Sequence, residues 1–147
     1  MGMVRFLLIF LLFLSFPSVY SQDSAGWDII LNKKSIFSAR QEDEQKNILT
    51  VKVSDFKAGK NFIVSYLETS TARNKNEWKR TIGIYNTADK ELIRKDTATL
   101  KLNASQIKKW LLENKTVKVY TWSLPKDPKE AARVRIRRVH LCTIVLK

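Results

Sequence analysis

Apolar and polar residues alternate through much of this chain, and that period of two limits the fold more than any other feature. In residues 48–55, Leu49, Val51 and Val53 alternate with Thr50, Lys52 and Ser54. Successive side chains of a strand point to opposite faces, so the pattern predicts a half-buried strand. Residues 61–68 repeat it, with Phe62, Val64 and Tyr66 on one face. Between the two runs, Lys57-Ala58-Gly59-Lys60 offers a turn with a glycine able to take positive φ. The two runs are therefore expected to form a hairpin.

The rest of the chain follows the same logic. A first strand is expected at 27–31. Residues 39–47 form a polar connection that carries Glu42, Asp43 and Glu44, and residues 69–77 form a polar loop. Residues 78–85 and 91–95 read as a hairpin around Asn86-Thr87-Ala88-Asp89, and 98–102 as a further strand. The period then changes. Ile107, Trp110 and Leu111 recur at helical spacing with Lys108 and Lys109 opposite, which predicts a short amphipathic helix over 104–113. Asn103 is placed to cap it, and Gln106 three residues on approximates a capping box. Strand returns at 116–124, followed by a turn at 125–128, a helical turn at 129–132, and a long final strand over 133–146.

These elements predict an all-β fold, a mainly antiparallel β-sandwich of immunoglobulin-like or jelly-roll-like type, with one short helix at 104–113. Strands 98–102, 116–124 and 133–146 match in order the last three strands of an immunoglobulin-like sandwich, without its paired cysteines.

The first 21 residues bear on destination. Arg5 supplies a positive start, residues 6–16 are apolar apart from Ser15, and Pro17 ends the run. Val19 and Ser21 suit the −3 and −1 cleavage positions, so 1–21 reads as a signal peptide cut between Ser21 and Gln22. An apolar run this short falls below the roughly 20 residues of a membrane span, and none is expected later. Export to a periplasmic or extracellular space follows. Residues 22–147 then form a single domain, in keeping with their length. Cys142 is the only cysteine, so no internal disulfide is available and packing must supply stability.

Charge bounds the partner. The chain carries a net +13, and removing the leader's single charge, Arg5, leaves +12. Such a balance favours anionic surfaces. For an exported protein these are acidic polysaccharide, lipid headgroups or an acidic protein, and nucleic acid is not expected. The same charge also serves solubility.

The candidate sites follow from the last third of the chain. Arg133, Arg135 and Arg137 alternate with Val134 and Ile136, so on a strand three guanidinium groups would share one face about 7 Å apart. Arg138 breaks the alternation, and a β-bulge at Arg137-Arg138 would reconcile the halves. Such a ladder could grip an acidic polymer through bidentate contacts; the competing reading is a solvated face whose arginines pair with neighbouring glutamates. His140 and Cys142 lie two apart on the same expected strand, too far for a nucleophile–base hydrogen bond. Trp110 and Trp122 are expected in the core, and Trp78 is the candidate exposed aromatic. Asn103-Ala-Ser105 and Asn114-Lys-Thr116 match the N-glycosylation pattern.

No catalytic motif, metal-ligand set or cofactor loop is recognisable. The expected function is therefore an exported, non-catalytic binding or assembly module with a basic surface for an anionic ligand. The alternatives are a structural or accessory subunit of an envelope or secreted assembly and, third, a small enzyme built on His140 and Cys142.

Overall fold

The computed structural model describes residues 25–69 and 77–147. The leader expected at 1–21 lies outside the described residues, as does most of the loop expected at 69–77. In chain order the strands are β1 (Gly26–Leu31), β2 (Lys34–Ala39), β3 (Ile48–Val51), β4 (Asn61–Leu67), β5 (Trp78–Asn86), β6 (Glu91–Lys95), β7 (Thr99–Asn103), β8 (Thr116–Pro125) and β9 (Val139–Leu146). A helix, α1 (Ala104–Asn114), joins β7 to β8, and one helical turn, α2 (Pro128–Ala131), follows β8.

The strands form two sheets, β2-β1-β4-β7 and β3-β9-β8-β5-β6. Every pairing is antiparallel except β3 with β9. The fold is thus an all-β sandwich. β4 and β7 are neighbours in one sheet and β5, β8 and β9 in the other, the order of strands B–E and C–F–G in an immunoglobulin-type sandwich.

Alternation builds the core directly. Ile29, Phe62, Val64 and Leu100 from one sheet meet Ile82, Ile84, Val119 and Ile144 from the other, all buried. Helix α1 touches β4 and β7 as well as β8 and β9, so it closes one end of the sandwich. Its Ile107 and Leu111 are fully buried, while Trp110 packs against the core only partly buried. Asn103 holds the N-cap position, but its side chain makes no capping bond. The Ala104 N–H instead donates to the Lys60 carbonyl at 2.9 Å, which ties the helix start to the turn before β4.

Four expectations are corrected. Residues 48–55 and 61–68 do not form a hairpin: β3 pairs with β9, while β4 pairs with β1 and β7 in the opposite sheet. The chain arches between sheets through a 3-10 turn at Val53–Asp55, where the Asp55 carboxylate accepts the Lys52 N–H at 2.7 Å and Phe56 is buried just beyond. Alternation says which face is buried, not which neighbour a strand takes.

A strand not expected, β2, pairs with β1 through a two-residue turn, with Asn32 at φ 54° and Lys33 at φ 67°. Two consecutive positive φ values are what a type I′ hairpin needs, here without glycine. The final strand starts at Val139, not Arg133, and residues 133–138 lie outside any sheet. Its irregularity falls at Leu141, since Tyr120 pairs with His140 and Val119 with Cys142. The Leu141 carbonyl at this bulge accepts the Trp27 indole Nε1–H at 2.8 Å, which joins the two sheets through a buried bond.

Candidate anion-binding arm

Residues 126–138 form an arm between β8 and β9, and its base is fixed by identifiable contacts. The Lys126 N–H donates to the Glu77 carbonyl at 2.8 Å, where the chain enters β5. Asp127 caps α2 by accepting the Lys129 N–H at 2.9 Å, and Pro128 sits in the first turn, where its missing N–H costs nothing.

The far end is held by two ion pairs. The Arg137 guanidinium pairs with Glu42, whose other oxygen accepts the His140 N–H at 2.8 Å. Burial raises the Glu42 pKa, but the His140 N–H and the Arg137 charge outweigh it and hold the carboxyl below its usual range. Arg138 donates from Nη2 to both Asp89 oxygens, at 3.0 and 3.1 Å. Its guanidinium lies 4.9 Å from the ring centres of both Tyr85 and Tyr120, a cation–π arrangement.

The four predicted arginines therefore divide into two kinds. Arg137 and Arg138 are anchors, drawn to carboxylates on separate loops, Glu42 and Asp89, just before β9 begins at Val139. Arg133 and Arg135 are exposed, and among the described residues neither guanidinium has an ion pair or hydrogen bond. The three-arginine strand ladder and the bulge at Arg137-Arg138 are thus replaced by an irregular arm with two free arginines. Val134 and Ile136 beside them are 37% and 50% exposed.

Sequence reasoning missed the surface on which Arg138 rests. Register places Tyr120 opposite Gly83 and Trp122 opposite Thr81, on the face of the five-stranded sheet turned away from the core. Trp122 is buried as expected, but on that outer face. Tyr85 and Tyr120 meet edge to face at 5.8 Å, as do Tyr120 and His140 at 5.6 Å. The available signal was Tyr85 on β5 and Tyr120 and Trp122 on β8 at outward positions, with Gly83 of β5 leaving room among them.

Gly83 makes this packing possible. A Cβ there would sit 2.8 Å from the Tyr85 ring and 3.1 Å from Trp122. Gly83→Ala should therefore push Tyr85 off its place beneath Arg138 and cost about 1–3 kcal/mol, as overpacking does. Urea denaturation checks this, and an unchanged midpoint would mean that the ring swings aside freely.

The other candidates are placed as follows. Leu141 is the extra residue of the bulge, so His140 and Cys142 point to opposite sides of β9. His140 bonds through Nε2 to Thr143 Oγ1 at 2.8 Å, and burial lowers its pKa. Cys142 lies in the core, where burial pushes the thiol up to about 12. No Cys–His pair is assembled, and a thiol so disfavoured as thiolate is a poor nucleophile. Trp78 opens β5 half-buried, opposite Pro125 at the root of the arm. Asn103 is exposed, whereas the Asn114 side chain is bonded to the Trp110 carbonyl and Asn86.

Among the described residues no group of three or more His, Cys, Asp or Glu side chains could hold a metal ion, and no helix is long and apolar enough to cross a membrane. No protein-family model matches the chain, and neither the curated proteins nor the solved structures include a significant match. What stands is the class: a β-sandwich with a basic arm between its last two strands.

Proposed function

We infer that this protein is an exported, non-catalytic binding module, released by cleavage near Ser21 and Gln22, that takes an anionic ligand or partner on the arm at 126–138. One observation carries the reading: among the described residues, Arg133 and Arg135 have no counter-charges, on an arm whose neighbouring arginines are both paired. Free guanidinium groups retain their donors for an incoming carboxylate or phosphate. Because the arm is stapled at its base, ordering it costs little on binding.

Arg133→Gln with Arg135→Gln should preserve the fold while reducing retention on an immobilised acidic polymer about tenfold at low salt. Lys101→Gln with Lys108→Gln lowers the net charge equally and should matter less. Equal losses from the two pairs would show that net charge alone attracts the ligand.

Assembly with another chain is the second reading. β2 and β7 bound one sheet and β3 and β6 the other, so strand edges are open to pairing among the described residues. Association through such edges would persist at high salt, where counterion-driven binding weakens steeply.

A further inference from the structure

We propose that the arm docks on an anionic lipid surface, with Val134 and Ile136 entering the interface alongside the guanidinium groups of Arg133 and Arg135. This deepens the anion-binding reading and rests on it. Six large apolar side chains are well exposed among the described residues: Ile48, Val53, Leu67, Leu112, Val134 and Ile136. Isolated examples are normal on a protein surface. The last two are not isolated, because they alternate with arginines along one short exposed segment, Arg133-Val134-Arg135-Ile136.

The ligand must account for both kinds of side chain. An acidic polysaccharide would meet the arginines and leave Val134 and Ile136 in water. A bilayer with anionic headgroups takes both, since phosphate receives the guanidinium forks and the acyl boundary receives the apolar side chains.

The rest of the arm agrees in charge and geometry. Lys126 and Lys129, on the same arm, are exposed as well. Of the two acidic residues, Asp127 is turned to the start of α2 as its cap, and Glu130 is exposed but outnumbered. The staples from Arg137 to Glu42 and from Arg138 to Asp89 fix the end of the arm to two loops of the sandwich, while Arg133 to Ile136 stay exposed.

Flotation with defined vesicles tests the proposal. The purified protein should float with mixed phosphatidylcholine–phosphatidylglycerol vesicles and remain behind with phosphatidylcholine alone. Val134→Ser with Ile136→Ser should weaken vesicle binding at least about tenfold, while leaving retention on an immobilised acidic polysaccharide unchanged. Arg133→Gln with Arg135→Gln should lose both, by about fivefold for each arginine on vesicles.

All four positions are exposed, so matched denaturation midpoints will show that folding is intact. Should the serine pair bind anionic vesicles like the parent, the lipid proposal falls and the anion-binding reading survives. Binding to polysaccharide but not to anionic vesicles would likewise overturn the lipid proposal alone. Should the glutamine pair lose neither ligand, both readings fall.

Discussion

Phe62→Ala should destabilise the domain by about 3–5 kcal/mol, the range for deleting a buried aromatic side chain. Phe62 lies on β4, inside the four-stranded sheet, and is only 1% exposed. Its backbone neighbours are Leu31 on β1 and Leu102 on β7, both buried, so the cavity would open where three strands meet. Those strands are held by their ladders and cannot collapse into the space without losing register. Phe62→Leu keeps most of the volume and should recover more than half of the loss. Urea denaturation of both variants decides the matter, and a loss under about 1 kcal/mol for alanine would place the ring outside the core.

Arg80→Ala should cost about 2–4 kcal/mol, for a different reason. Arg80 falls on the inward side of β5, in step with Ile82 and Ile84, where a charge is out of place unless paired. Its side chain, 14% exposed, forms an ion pair with Glu68 and donates from Nη1 to Thr121 Oγ1 at 3.2 Å. The guanidinium lies 4.0 Å from the centre of the Tyr66 ring, which itself stacks on Trp27. Truncation leaves the Glu68 carboxylate, 24% exposed, with no counter-charge. Stranding one partner of a buried pair costs about 3–5 kcal/mol, and partial exposure lowers that figure here. The double variant Arg80→Ala, Glu68→Ala should therefore lose less than the sum of the two single variants. Strict additivity in a double-mutant cycle would show the pair to be solvent-screened and energetically idle.

The sequence disclosed strands better than partners. The β5–β6 hairpin was legible because Asn86 and the residues after it are turn formers; the Asn86 side chain accepts the Ala88 and Lys90 N–H groups, both at 3.0 Å. The β7–α1–β8 succession was legible because the period switches from two to 3.6 and back. The hairpin drawn through Gly59 was wrong because alternation is identical whether a strand folds back or crosses to the other sheet. β2 escaped notice because Asn32-Lys33 lacks the glycine that usually marks so tight a turn.

The candidate site was half legible. Clustered arginines pointed to the arm, but Arg-Val-Arg-Ile reads alike on a strand and on an exposed loop. What separates the cases lies far away in sequence. Glu42 and Asp89 withdraw Arg137 and Arg138 from the surface charge, and no local pattern announces either pairing. The bulge at Leu141, which turns His140 away from Cys142, depends likewise on register with β8.

The position of β9 has a consequence for the order in which the molecule can assemble. This strand is the last of the described elements, yet it lies inside its sheet, between β3 and β8. Trp27 waits for a carbonyl 114 residues later, and the backbone of His140 reaches a carboxylate 98 residues earlier. Contacts of such span require long loops to close before they contribute, which slows folding relative to locally connected folds. Without residues 139–146, β3 has no strand to pair with and one edge of β8 lacks its neighbour. The five-stranded sheet is thus completed only when β9 slots between β3 and β8, which lets neither strand reach its final place before β9 reaches its own.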